Sequence, residues 1–408
     1  MRVVVYTLGC KVNAIESRSI MRALSDAGAE VFDTLVAADR YILNTCSVTS
    51  EADRKCRQTV GKIVKLNSDA KIYVCGCSSQ NNPSAYEAYE NVVKITGNAN
   101  KSDILNTIMS DIADDVLVNV SELPSVFEEF IYPSHMKTRE FIKIQDGCNN
   151  FCSYCIVPYL RGRERSRGIA SIVSEAVEAA KCCKEIVLSG INVSSFGNDI
   201  GGSLADLFRA LKNLPVRLRL SSLECNIIDD ELLDVMVEAG VCDHFHLSLQ
   251  SGSDKVLSAM NRHYKAADYA KKVDMIRRVF PNAGITTDII TGFPTETEEE
   301  FLRTAAFAEK IAFSDIHVFP YSERKGTKAA GMRQVSMDIR RERAARLTDI
   351  KEMLKKSFLE KQIGKILSVY TEADGEGYST NYVRVYSGLP EGNISDIKIK
   401  SLYKKGVN

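Results

Sequence analysis

The first 120 residues alternate between short apolar runs and amphipathic stretches. Val3-Val4-Val5-Tyr6-Thr7 is a run of strand length, and Ala14 to Ala27 carries its apolar positions at helical spacing. Arg40-Tyr41-Ile42-Leu43-Asn44 predicts a second strand, Ala52 to Leu66 a second helix, and Lys71-Ile72-Tyr73-Val74 a third strand. Short apolar strands separated by helices predict a parallel, doubly wound sheet. Residues 121–140, with Pro124 and Pro133, read as a linker. From Phe141 the alternation resumes, with strands expected at 141–145, 185–189, 216–221, 243–249, 283–290 and 314–319. Six strand–helix units are too few for a closed barrel of eight, which takes about 250 residues, so a partial (βα)6 barrel is expected. After Gly364, residues 366–370 and 382–386 alternate as strands around the turn Asp374-Gly375-Glu376-Gly377. The expected fold class is therefore α/β. A doubly wound domain spans 1–122, a partial TIM-like barrel 134–350, and a small β-barrel 360–408.

Length and charge sharpen this only locally. The 408 residues carry 53 basic and 53 acidic side chains, so overall charge announces no nucleic-acid partner. Residues 323–365 do carry a surplus, 13 Lys and Arg against 6 Asp and Glu. No apolar run reaches the roughly eighteen residues of a membrane span and no signal-peptide pattern opens the chain, so a soluble, cytoplasmic protein with no membrane partner is expected. Twelve cysteines in such a chain point to a reducing compartment and to metal or catalytic use, not to disulfides.

The chemistry is carried by those cysteines. Cys148, Cys152 and Cys155 stand in C-x3-C-x2-C spacing, with Gly147 before the first and Tyr154 before the last. Three thiolates this close can hold three irons of a [4Fe-4S] cube and leave the fourth open to a substrate. A zinc knuckle would need a fourth Cys or His nearby, and the next cysteine downstream is Cys182. A second set lies at the ends of the first three strands: Cys10, Cys46 and the pair Cys75 and Cys77. Open α/β sheets bind ligands at the carboxyl ends of their strands, so these thiols are candidates for a second metal site. Cys56, Cys182, Cys183 and Cys242 read as packing. His244 and His246 alternate on one strand and are expected in the barrel interior. Polar positions after the barrel strands, Gly190, Glu224 and Gln250, with Asp288 inside the fifth, are candidates for cofactor binding, as is Tyr154.

The C-x3-C-x2-C run resembles the signature of the radical S-adenosylmethionine (SAM) superfamily. Thr7-Leu8-Gly9-Cys10-Lys11-Val12-Asn13 with Glu16-Ser17, Asn44-Thr45-Cys46 and Gly76-Cys77 resemble the N-terminal motifs of the methylthiotransferases. Arg161-Gly162-Arg163, Ser221-Ser222-Leu223-Glu224, residues 247–252 and residues 291–297 resemble the same family, and the C-terminal module is similar to its RNA-binding TRAM domain. Residues 10–13, 191–197 and Phe319-Pro320-Tyr321-Ser322 most resemble the branch acting on threonylcarbamoyladenosine beside the tRNA anticodon.

That resemblance implies two [4Fe-4S] clusters. Cys148, Cys152 and Cys155 would hold the one that binds SAM, and Cys10, Cys46 and Cys77 an auxiliary one. It implies a 5'-deoxyadenosyl radical that takes hydrogen from C2 of the modified adenosine, followed by sulfur and methyl transfer, with two equivalents of SAM per turnover. tRNA is the implied substrate and a low-potential flavodoxin or ferredoxin the implied electron donor. Arg161, Arg163, Arg165, Arg167, the basic 323–365 stretch and the β module are the expected RNA contacts. The same chemistry on isopentenyladenosine or on a ribosomal-protein aspartate is the alternative, and a non-enzymatic iron–sulfur or RNA-binding protein the alternative of another class.

Overall fold

In the computed structural model, residues 1–99, 101–110, 117–120, 122–129 and 138–408 are described. Pro133, the middle of the expected linker and the start of the second expected domain at residue 134 lie outside the described residues. Residues 122–129 run along the barrel side: Phe127 lies under Lys143, and Glu129 accepts from Ser171 Oγ at 2.9 Å.

The N-terminal sheet contains β1 (Arg2–Thr7), β2 (Glu30–Phe32), β3 (Arg40–Thr45), β4 (Lys71–Gly76), β5 (Val92–Thr96) and β6 (Leu117–Asn119) in the order β2-β1-β3-β4-β5-β6. Every pairing is parallel. Strand β3 is buried along its whole length because helices cover both faces of the sheet, so its apolar run does not alternate. Helix Lys11–Asp26 buries Val12, Ile15, Ile20 and Leu24, one stripe at helical spacing. Helix Ser50–Leu66 starts where Thr49 Oγ1 accepts from Ala52 N at 3.1 Å. Strands β2, β5 and β6 were not among the expected ones. The first and last have three residues each, too short to leave a periodic signature.

The barrel strands are β7 (Arg139–Lys143), β10 (Glu185–Ser189), β11 (Arg217–Leu220), β12 (His244–His246), β13 (Gly284–Thr291) and β14 (Asp315–Pro320), all six at the expected places. Between the first two, β8 (Gln145–Asp146) and β9 (Arg165–Ser166) form a two-residue ribbon. The parallel triplets β7-β10-β11 and β12-β13-β14 are joined through single bridges, Leu218 to Val241 and Leu223 to Leu247. This is a half-open (βα)6 arc. Its apolar core lies between strands and helices, around Ile142, Ile186, Leu218, Phe245, Ile285 and Ile316.

The C-terminal module is one six-stranded sheet, ordered β18-β15-β16-β17-β20-β19. Its strands are β15 (Ile366–Thr371), β16 (Glu376–Ser379), β17 (Arg384–Tyr386), β18 (Ile394–Lys398), β19 (Leu402–Tyr403) and β20 (Gly406–Val407). It seats on the amino ends of the barrel strands. Arg219 donates to Thr380 O and Ser379 O, both at 3.1 Å, and pairs with Glu185 at 3.1 Å. Tyr382 stacks on His244 at 4.4 Å. The module thus closes the end of the barrel opposite the carboxyl ends of its strands. Among the described residues no helix is long and apolar enough to cross a membrane.

Candidate active site

The order of the N-terminal sheet reverses at β1, which has β2 on one side and β3 on the other, so the crevice beyond the carboxyl ends of β1 and β3 is where such a sheet binds ligands. Cys10 follows β1 by three residues, Cys46 follows β3 directly, and Cys77 follows β4 directly. Gly9 permits this: at φ +119° it adopts a conformation that L side chains rarely take, and a Cβ there would lie 2.7 Å from Cys46 Cβ. The Cys10, Cys46 and Cys77 thiols are electrostatic neighbours of one another, and all are free. Cys75 lies on the other face of the sheet, in the core with Val3, Val5 and Ile20. Cys56 packs beneath the site. Its Sγ accepts from Cys46 N at 3.3 Å and donates to Cys46 O at 3.5 Å, fixing the backbone of that loop.

The second triad lies on the loop after β8. Gly147, at φ +70°, turns the chain so closely that a Cβ would sit 1.9 Å from Arg163 O. Cys148, Cys152 and Cys155 are mutual electrostatic neighbours. Donors surround their sulfurs: Asn150 N reaches Cys148 Sγ at 3.5 Å, Asn192 Nδ2 the same atom at 3.8 Å, and Arg262 Nη1 reaches Cys152 Sγ at 3.5 Å. Ser153 ties the loop to Met260 and Ala329 through its backbone.

Both triads suit iron–sulfur ligation. Burial pushes the Cys46 and Cys155 thiols up to about 12 and Cys148 up to about 11, and it raises Cys10 as well. Without a cation these thiols stay protonated; bound iron supplies the positive charge that stabilises thiolates. The sets meet across one interface. Cys77 packs against Ile156 and Leu160, just beyond Cys155, and Asn98 Nδ2 donates to Leu160 O at 3.0 Å.

The interface is locked by buried charge. Arg161 Nη1 contacts Glu16 at 3.1 Å and Asp146 at 3.0 Å, and its Nη2 donates to Asn13 Oδ1 at 2.5 Å. Lys143 reaches Glu16 at 2.8 Å and Asp146 at 2.6 Å, and Lys101 pairs with Glu16. Burial would raise the Glu16 carboxyl, but Arg161, Lys101 and Lys143 hold it well below the usual range. Arg165 also faces Asp146, and Arg167 pairs with Glu175. Three of the four arginines expected on RNA are therefore structural; Arg163 alone of them is exposed, over the Phe151 ring.

Comparison with known proteins fits this arrangement. Residues 142–308 match the model of the radical SAM superfamily, and residues 2–97 that of "Uncharacterized protein family UPF0004". The chain is 35% identical to a protein of Bacillus subtilis named threonylcarbamoyladenosine tRNA methylthiotransferase MtaB, over 97% of this chain and 92% of that one. The chain belongs to the radical SAM methylthiotransferase family. It is 34% identical to the tRNA-2-methylthio-N(6)-dimethylallyladenosine synthase of Acetivibrio thermocellus, over 95% of this chain and 83% of that one. Its fold resembles the solved radical SAM methyltransferase TsrM of Kitasatospora setae, at TM-score 0.59 and 16% identity, covering 81% of this chain and 77% of that one. Family membership makes it a transferase of sulfur-containing groups and implies a [4Fe-4S] cluster and SAM.

Of the expected methylthiotransferase cofactor contacts, Glu224 reaches the triad loop most directly. Its Oε1 accepts from Asn150 Nδ2 and pairs with Arg262, each at 2.7 Å. Gly190 lies against Gln145, whose Oε1 accepts from Asn192 N at 2.8 Å. Tyr154 packs with Val256, Met260, Phe293 and Tyr321. Gln250 takes φ +69° and donates from its backbone to Asp288 O at 2.8 Å. Asp288 has other partners: His246 Nε2 at 3.2 Å and His317 Nδ1 at 3.1 Å occupy its two oxygens. His246 is thus inside the barrel as expected, with companions from β13 and β14 that its own stretch of sequence does not contain. Arg262 and the Glu16–Arg161 lock were missed from sequence, whereas Asn192 stood in the 191–197 motif. Glu16 stood in a family-like motif with no role attached, and Arg161 in another, where it was expected on RNA.

Proposed function

We propose that this chain is the tRNA methylthiotransferase that places a methylthio group on C2 of N6-threonylcarbamoyladenosine beside the anticodon. Two sets of three free thiols meeting at one interface carry the reading, together with relatives named for that reaction. Cys148, Cys152 and Cys155 would hold the cluster that binds SAM, and Cys10, Cys46 and Cys77 the auxiliary [4Fe-4S] cluster. Bound there, these groups supply radical removal of the C2 hydrogen and the sulfur, with two equivalents of SAM per turnover, one as methyl source.

The chain's own residues hold this chemistry in place. Arg262, Asn192 and Asn150 donate to the cysteine sulfurs, which steadies negative charge on them. The Arg161 lock fixes one triad against the other, so the substrate carbon would lie between two rigid loops. Tyr154, Gly190, Glu224 and Gln250 are proposed to line the SAM pocket. The domains proposed are 1–122, 134–350 and 360–408, the last a TRAM-like RNA-binding unit. A flavodoxin or ferredoxin would supply the electron, and the cytoplasm is the proposed location.

Anaerobic iron and sulfide analysis should give about eight of each per chain, as two cubes require. Replacing Cys148, Cys152 and Cys155 with Ala should leave about half. Mass spectrometry of tRNA from a deletion strain should show threonylcarbamoyladenosine lacking its methylthio group. Full iron content in the triple variant, or intact methylthiolation in the deletion strain, would sink the proposal.

A further inference from the structure

Strand β14 lies at the edge of the arc and turns two faces to different surroundings. Ile316 is fully buried and Val318 packs beside it against the helix-covered core. His317 and Phe319, at the alternate positions, therefore point into the barrel. There they are open: the His317 side chain is 56% exposed and Phe319 47% exposed. An exposed aromatic ring edge-on to a half-exposed imidazole, inside a catalytic barrel, leaves a ring face and an imidazole edge open to solvent. His317 is nonetheless held firmly. Its Nδ1 donates to Asp288 Oδ1 at 3.1 Å, and Asp288 is braced by His246 at 3.2 Å. His246 in turn shares Thr286 Oγ1 with His244. With Nδ1 committed to Asp288, Nε2 is the nitrogen left for a ligand.

Building on the proposed threonylcarbamoyladenosine substrate, we propose that the inner face of β14 is the subsite for the modified base: Phe319 stacks on the adenine, and His317, positioned by Asp288, bonds the carboxylate of the N6 substituent. The chemistry matches in both parts. Base–aromatic stacking tolerates any ring, and an imidazolium N–H to a carboxylate is a charge-assisted bond. An apolar dimethylallyl substituent would leave that donor unpaired, so the same pair would discriminate between the two substrate types. The groups facing His317 agree. Asp288 from β13, Asp315 on its own strand, His246 from β12 and Lys351 from helix Met337–Glu360 surround it. Asp315 is already held by Lys355 at 2.7 Å and Lys351 at 3.6 Å, which leaves Asp288 as the acid in direct contact with the imidazole. The hydrogen bond that His317 donates to Asp288 accordingly raises its pKa above the ordinary value.

The test uses the enzyme with both clusters reconstituted and two anticodon stem-loops, one with the threonylcarbamoyl carboxylate and one with the matching carboxamide. The wild-type enzyme should favour the acid about tenfold in KM, the usual margin of a charged over a neutral hydrogen bond. His317→Gln should bring that ratio near one, with kcat moved less than KM; a role in folding alone would depress both RNAs alike and keep the ratio. The preference should fade as pH rises through the raised imidazole pKa, and Asp288→Asn, which keeps the imidazole, should move that fading to lower pH. Phe319→Ala should raise KM for both stem-loops. A ratio preserved in His317→Gln, an unmoved pH profile in Asp288→Asn, or an unchanged KM in Phe319→Ala overturns the subsite while leaving the substrate intact. Failure of the wild-type enzyme on the carboxylate stem-loop, with turnover of a dimethylallyl one, overturns the substrate reading and the subsite together.

Discussion

Arg161 is the residue on which the interface depends, and its energetics run opposite to a surface cation's. Its side chain is 1% exposed and satisfied by Glu16, Asp146 and Asn13, groups distant in sequence. Exposed ion pairs contribute little, but removing one member of a buried network leaves its partners charged, desolvated and unmatched. Arg161→Met should therefore cost about 3–5 kcal/mol of stability. The chain has no Trp, so unfolding is best followed by circular dichroism in urea. The same network sets an acid limit. Glu16 and Asp146 are held below their ordinary values, so their stabilisation is complete above the unfolded carboxylate range and is lost progressively as pH falls from there through their lowered folded values. Stability should therefore begin to fall below about pH 4.5, where the unfolded chain takes up protons that the native carboxylates refuse, and Arg161→Met, which starts from lower stability, should reach its acid midpoint at higher pH. Equal acid midpoints in the two proteins would refute the assignment.

At the scale of elements, thiol placement follows from strand geometry. Cys75 is the last but one residue of β4 and points into the core with Ile42 and Tyr73, whereas Cys77 is past the glycine that ends the strand. Cys75→Ala should keep full iron content at a small packing cost of about 1 kcal/mol; Cys77→Ala should lose roughly half the iron, as one of two cubes. The reverse pattern in iron analysis would exchange their roles. This distinction could be read from the sequence because period-two alternation and a turn glycine are local signals. The long apolar strands β1, β3 and β4 and all six barrel strands were legible because a short, continuous apolar run between helical stretches is also a local signal, as were the cysteines, whose clustering is rare by chance. Polar residues were less legible. Arg161, Arg165 and Arg167 read as a basic RNA-facing run because the carboxylates that neutralise Arg161 and Arg167 lie elsewhere, Glu16 far upstream and Glu175 on the next helix. Helix Met337–Glu360 misled in the same way: Arg340 donates to Tyr321 O at 3.0 Å and Arg343 pairs with Glu296 at 2.8 Å, so part of that basic surplus is internal. Periodicity reports which face is apolar; it does not report which charge will meet which.

At the scale of the whole molecule, the C-terminal module serves the barrel as well as any RNA. Its loop Ser379–Tyr382 covers Arg219 and His244, and Ser368 Oγ accepts from Arg217 at 2.6 Å. A chain cut after Gly364 would uncover Arg219, Glu185 and Arg139 at the amino ends of the strands, so its loss of tRNA binding would be confounded by loss of stability. The separable experiment changes only the outer surface. Lys398, Lys400 and Lys404 are exposed, with Lys404 over the rings of Tyr386 and Tyr403. Replacing these lysines with Gln removes charge and leaves the module seated on the barrel. Iron content and melting temperature should stay at wild-type values. tRNA affinity should fall, and the slope of log affinity against log salt should become shallower by about one unit for each phosphate that a lysine no longer neutralises. Binding with an unchanged salt slope in the triple variant would show that this face of the module does not meet RNA, and would turn the search to exposed Arg163 beside the Cys148 loop.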